Sequence, residues 1–193
     1  MPRSILNDSQ TTEVAQSTNM TGASLAGCKT VGFLTKVTVS TPSAGAFTAA
    51  ASDICTKTAH GMKTGLKVQV STTTTLPAGL SAATDYFVIY LTADTFKLAT
   101  SLANANAGTA VDITDAGTGT HTITPTSIAG ASVKLQASID GTNYADIASL
   151  TSNITATANF LFNIVDPGYE YIRAVYTLTA GQISFTQNTL VKD

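Results

Sequence analysis

His60 and His121 are the only imidazoles in the chain, and they bracket a single stretch of it. Two histidines at the ends of one β unit can meet in space and share a metal ion or a proton. A zinc site needs three or four ligands, and the spacing around these two suggests no third. The favoured reading is therefore a turn residue hydrogen-bonded to backbone. Asp94, Asp112 and Asp115 lie beside glycine-rich loops. The segment DITDAGTGT supplies two carboxylates with hydroxyls and carbonyls, but it lacks the closing Glu of an EF-hand loop. Turn capping is the favoured role. Serine, histidine and aspartate all occur, yet no GxSxG elbow does. The expectation is no enzyme, no catalytic residue, no metal and no cofactor.

Cys28 and Cys55 form neither a CxxC nor a metal spacing. Two buried free thiols are expected; one bridge between them, or a cross-link to a neighbouring subunit, stays open. Tyr86, Phe87, Tyr90 and Phe96 make an aromatic cluster. Tyr86 and Tyr90 are candidates for a sugar-stacking surface, although in a module without tryptophan a small core is the favoured role. Arg173, between Tyr171 and Val175, is placed to form an aromatic-stacked ion pair with Asp146 or Glu170.

The elements that must carry these residues are strands. TVGFLTKVTVS (30–40) sets Val37 and Val39 on one face against Lys36, Thr38 and Ser40 on the other. SVKLQASID sets Val133, Leu135 and Ala137 against Lys134, Gln136 and Ser138. YEYIRAVYTLT sets Ile172, Ala174, Tyr176 and Leu178 against Tyr171, Arg173, Val175 and Thr177. Further strands are expected at 144–147, at 158–164 and after Ala180-Gly181, with turns at Asp140-Gly141 and Pro167-Gly168. KVQV, TDYFVIYL, FKLAT, AVDIT and HTIT read as strands of a separate unit. LANANA (102–107) reads as one short helical turn, and no long helix is predicted.

TPSAG (41–45) and TPTSIAGA (124–131) are closely similar. With residues 42–129 removed, KVTVS runs almost directly into SVKLQASIDG as a plain hairpin. The chain is therefore read as an all-β, antiparallel β-sandwich (24–41 plus 130–193) with a small β domain (42–129) inserted at a hairpin tip, where exposed backbone tolerates insertion. Residues 1–23 are read as an extended N-terminal arm. Ile5, Leu6 and Val14 are its candidate contacts with a neighbouring subunit.

Charged residues make up 11% of the 193 positions and hydrophobic residues 44%, with a net charge of −2. Ordinary domains are about 25% charged. Disorder needs the opposite balance, and no run of about 20 apolar residues spans a membrane as a helix. The few basic residues are scattered, so neither nucleic acid nor membrane is an expected partner. Threonine and serine take the place of ions. A hydroxyl-covered surface near neutrality permits association with other protein, and a homo-oligomer is expected. Met1-Pro2-Arg3 is followed by polar residues, which predicts synthesis in the cytoplasm without a secretory leader.

HGMKTGLKVQV…TLPAGLSAATDYFVI…TADTFKLATSLANANAGTAVDITDAGTGTHT (60–122) resembles a recurrent module of tailed-phage structural and tail-associated proteins. Its usual form opens His-Gly-Leu-x-Thr-Gly, continues through Leu-Pro-Ala-Gly-Leu and closes Asp-x-Gly-x-Gly-Thr-His. Met62 stands where Leu is usual. LQASIDGTNYADI resembles the "SxDGxxWxDI" hairpin of small phage β-sandwiches, with Tyr144 at the Trp position, and EYIRAVYT resembles their "YxRVxYT" strand. The resemblance implies a bacteriophage virion structural protein without catalytic residues. It implies a capsid decoration (cement) or accessory head protein, with the major capsid protein or other virion proteins as partners. A tail, neck or fibre component is the alternative place, and weak binding of host-surface glycan by the insert is the alternative role.

Overall fold

The computed structural model describes residues 10–14, 18–19, 23–25, 30–165 and 168–192. In chain order its strands are β1 (Gln10–Val14), β2 (Thr18–Asn19), β3 (Ala23–Ser24), β4 (Thr30–Ser40), β5 (Gly45–Ala49), β6 (Cys55–Thr56), β7 (Lys67–Thr72), β8 (Tyr86–Tyr90) and β9 (Thr95–Ala99). They continue as β10 (His121–Pro125), β11 (Ala131–Ser138), β12 (Ala145–Ile154), β13 (Ala158–Val165), β14 (Tyr171–Thr177) and β15 (Gln182–Lys192). One helix, α1 (Leu102–Ala107), lies between β9 and β10. Ser101 caps it by accepting from the Asn104 amide, and Gly108 ends it in a left-handed conformation. The protein is all-β and its sheets are antiparallel, as the alternating patterns predict.

Two sheets and a barrel result. One sheet runs β1-β15-β4-β13, and the other runs β12-β11-β14-β2 with β3 also on β14. Their inward faces feed one core. Phe33 and Val37 of β4, Phe162 of β13, and Ile183 and Phe185 of β15 meet Val133 and Leu135 of β11 and Ile172, Ala174 and Tyr176 of β14. Along β4, Phe33, Thr35 and Val37 are buried while Leu34, Lys36 and Thr38 are exposed. That period of two is what one wet face and one dry face impose on a strand. Burying each of the larger core side chains contributes about 1.5–3 kcal/mol. Two contacts bind the sheets directly. Thr35 Oγ1 and the Tyr176 hydroxyl share a buried hydrogen bond, and the Tyr176 and Phe185 rings stack with centroids 3.9 Å apart.

The remaining strands, all between residues 45 and 125, close a barrel in the order β10-β5-β6-β9-β8-β7. Closure depends on β10, where His121–Ile123 pair with β5 on one side and with β7 on the other. Phe47, Met62, Leu66, Val68, Val70, Val88, Phe96, Leu98, Ile113 and Ile123 fill the interior, as expected of a barrel too small to hold a channel. Met62 is 1% exposed, packed wholly within this core. Gln182, fully buried at the start of β15, ties the barrel to the sheets. Its Oε1 accepts from the Lys63 amide at 2.9 Å, and its Nε2 donates to the Gly61 carbonyl at 3.0 Å.

Three expectations need correction, and two strands were not foreseen. The strands flanking the barrel do not form a hairpin, because β4 pairs with β13 and β15 while β11 pairs with β12 and β14. Both alternate in the same way because each turns its apolar face to the shared core, from opposite sides of it. AVDIT is not a strand. The Val111 amide donates to the Leu98 carbonyl and the Ile113 amide to Asp53 Oδ1, which satisfies the backbone without a ladder. The segment 45–56 supplies β5 and β6, which the turn residues before it disguise. Ser138, expected on the wet face, is buried and accepts from the Asp140 and Gly141 amides.

The stretch read as an arm is paired with its own chain where it is described. β1 lies on β15, with Val14 opposite Ile183, and β2 and β3 lie on β14. Ile5, Leu6, Cys28 and Pro167 lie outside the described residues.

Candidate functional site

His60 and His121 are both buried, and their rings are held apart by core aromatics. His60 meets Phe96 with centroids 5.2 Å apart, Phe96 meets Phe47 at 6.3 Å, and Phe47 meets His121 at 5.7 Å. The Met62 amide donates to His60 Nδ1 at 3.0 Å, so Nε2–H donates to the Thr92 carbonyl at 2.9 Å. His121 Nε2 lies 2.9 Å from the Ala116 carbonyl, and its Nδ1 lies 2.9 Å from Thr72 Oγ1. Each ring thus pins a loop to the barrel wall. His60 does so from the loop between β6 and β7, bonded to backbone, and His121 does so from within β10 rather than from a turn. Among the described residues no group of three His, Cys, Asp or Glu could hold a metal ion.

The carboxylates build turns. Asp115 Oδ1 accepts from the Ala78 and Gly117 amides, both at 2.9 Å, and these bonds hold its carboxyl below the usual carboxylate range. Asp94 accepts from the Ala59 amide at 2.7 Å. Asp112 acts through its backbone: its carbonyl oxygen stands 2.1 Å from where a Cβ on Gly79 would lie. With φ of +96°, that position admits only glycine. In the β11–β12 hairpin, Asp140 accepts from the amides of Asn143 and Thr142 and from the Asn143 side chain, which hold its carboxyl well below the usual range. Cys55 is a free buried thiol, and burial, with Asp53 nearby, pushes it up to about 12. Such a thiol is inert as a nucleophile.

The aromatic candidates separate. Tyr86 is 3% exposed and lies in the barrel core, its hydroxyl accepting from the Ser81 amide at 2.8 Å. It cannot stack a sugar from there. Tyr86, Val88 and Tyr90 share one face of β8, and only Tyr90, at the strand's end, reaches solvent, at 41% exposure. It packs on the edge of His60, with Lys63 Nζ 5.5 Å from its ring centre. Arg173 stacks on Tyr144 at 3.9 Å rather than on Tyr171. Its Nε and Nη2 donate to Gln136 Oε1 at 2.9 and 2.8 Å. Asp146 takes the Gln136 amide and the Lys134 ammonium, both at 2.7 Å, so Gln136 relays a contact expected to be direct.

A groove of about 550 Å³ remains, and sequence reasoning missed it. Its floor is the outer face of β5, where Ala46 and Thr48 point outward. Thr56, Lys57 and Thr58 form one wall and residues 116–120 the other. Lys57 is half-buried, and its Cε lies 2.8 Å from where a Gly45 Cβ would stand, so the missing side chain makes room for the lysine stem. Threonine hydroxyls and the Lys57 ammonium equip the groove to hydrogen-bond a hydroxylated ligand. His121 lines it with both ring nitrogens already bonded. The small outward residues of GAFT hint at its floor alone, and its walls leave no local signal.

Compared with known proteins, the chain matches no family model, and no curated protein matches it.

Proposed function

We propose that the chain is a bacteriophage virion structural protein, a decoration (cement) protein that stabilises the capsid shell through subunit contacts. In this reading the two sheets that share a core form a β-sandwich. The barrel is a small domain inserted into it where the chain passes from one sheet to the other. The protein works in the particle, beside the major capsid protein, and is no enzyme.

The observation that carries this reading is where the phage-like motif residues fall. His60 and His121 pin loops, Met62 fills the barrel, Gly79 and Asp115 shape its loops, and Asp140 caps the hairpin. The resemblance therefore rests on residues that build a scaffold. The few ions support the same view, since Lys67–Asp85, Lys97–Asp53 and Lys134–Asp146 neutralise one another. With only 11% of the residues charged, threonine and serine supply much of the polar surface, which suits packing beside protein. A contact of about 800 Å² per partner suffices for specific association, and shell symmetry multiplies it. Quantitative mass spectrometry of purified virions tests the reading. A copy number matching the shell lattice supports it, a tail-like handful moves the protein to the tail, neck or fibre, and absence from the particle removes it.

The groove favours a second role, weak contact with host-surface glycan strengthened by copy number. Glycan-array binding by the whole protein, lost in Lys57→Ala and retained in Tyr86→Phe, supports that role, and a blank array eliminates it.

A further inference from the structure

The sheet β1-β15-β4-β13 ends on β13, and no other strand among the described residues pairs with its outer edge. Exposed edges recruit further strands unless charge, proline, a bulge or shortness prevents it. In the other sheet both outer strands have such protection: β12 carries Asp146, and its ladder with β11 breaks register between Lys134 and Gln136; β2 is two residues long. β13, ANFLFNIV, has none of them. It is eight residues long, without an ion or a proline, and its register against β4 runs unbroken from Ala158 to Val165.

Its outer-face side chains are also uncovered. Leu161 points outward at 71% exposure, opposite Leu34 of β4 at 39%, with exposed Asn159 and Asn163 on either side. On the inner face Phe160 and Ile164 are only partly buried at the margin of the core. A strand laid along this edge would satisfy the open backbone and complete both faces.

We propose that this strand is β13 of a second copy, paired antiparallel about a two-fold axis through Leu161. In that register Leu161 faces its own counterpart, Asn159 faces Asn163, and Phe160 faces Phe162. The outer row becomes amide, leucine, amide, and the inner row becomes aromatic on aromatic, both favourable cross-strand pairs. A two-fold axis brings like residues toward like, and like charges directly opposite destabilise a ladder. Freedom from ions is therefore what self-pairing requires, while an edge meant for a foreign strand has no such need. The symmetry is isologous and closes at the dimer. The inference rests on the reading of this chain as an assembly subunit and names one of its contacts.

Charge exchange at the axis tests it. By sedimentation velocity the full chain should dimerise with concentration. Leu161→Lys and Leu161→Glu should each dimerise more than about tenfold more weakly, through repulsion between copies. An equimolar mixture of the two variants should recover the dimer. Each variant should melt at the monomer's temperature, because Leu161 is exposed. A full chain that stays monomeric, a Leu161→Lys variant that dimerises normally, or a mixture that recovers nothing overturns the proposal. Particle content is scored separately. A high-copy virion protein that is monomeric in solution keeps the proposed function and loses this interface, and a dimer absent from particles does the reverse.

Discussion

Replacing Thr35 by Val and Tyr176 by Phe, singly and together, tests whether the two sheets face each other across one core. Thr35 belongs to β4 in one sheet and Tyr176 to β14 in the other, and both are fully buried. Their hydroxyls bond to each other. Thr35→Val keeps the side chain's shape but strands the Tyr176 hydroxyl, and Tyr176→Phe strands the Thr35 hydroxyl. A buried hydroxyl without a partner costs about 1–3 kcal/mol. Each single variant should lose about that much. The double variant has no stranded group, so it should lose less than the sum of the singles by about 1–3 kcal/mol. Urea unfolding reads this as shifts of the midpoint at constant slope. If the singles add to within about 0.5 kcal/mol, the hydroxyls are not partners and the face-to-face arrangement of the sheets is wrong.

Other consequences follow from the same packing. Burial, opposed in part by the Thr35 bond, pushes Tyr176 up to about 12 from its ordinary 10.0, and Cys55 rises to about 12 from 9.0. The folded protein holds both protons more tightly than the unfolded chain does, so the contribution of these two groups should be constant below pH 9 and stability should fall as pH rises from there toward 12; in Tyr176→Phe the fall above pH 10 should be shallower, as chemical denaturation at each pH will read. Gln182→Ala should cost about 1–3 kcal/mol and speed amide exchange at Lys63, whose partner it removes. Gly79→Ala should cost about 1–3 kcal/mol through backbone strain and its clash with the Asp112 carbonyl. Gly168→Ala, with nothing within 4 Å of the added atom, should cost little, and thermal melts of the two variants will show the difference.

How far the fold was legible depended on how local its causes were. β4, β11 and β14 could be read because each has one dry face, and burial on one side of a pleat writes a period of two into the residues. Asp140-Gly141 and the short helical turn at 102–107 were legible for a similar reason, since a turn uses neighbours in sequence. Pairing across the chain leaves no such trace. β6 is two residues long and pairs with β5 and β9, and β10 closes the barrel by holding β5 and β7 at once. AVDIT alternates as a strand does, yet its amides are satisfied by the Leu98 carbonyl of β9 and by a carboxylate distant in sequence. The likeness of KVTVS and SVKLQAS reports that each has one buried side and says nothing of which strand lies alongside. Tyr86 and Tyr90 share a face, and only position along the barrel separates a core ring from a surface one. The groove depends on small outward residues of β5 meeting a wall more than 60 residues away, which no local pattern encodes.

The central claim is that this ion-poor double β body is a subunit of a particle. Electron cryomicroscopy of the intact virion tests it most directly. The account expects density on the shell, repeated with its lattice, into which the paired sheets and the six-stranded barrel fit together. A shell map in which these bodies find no density, from particles lacking the protein, would contradict it.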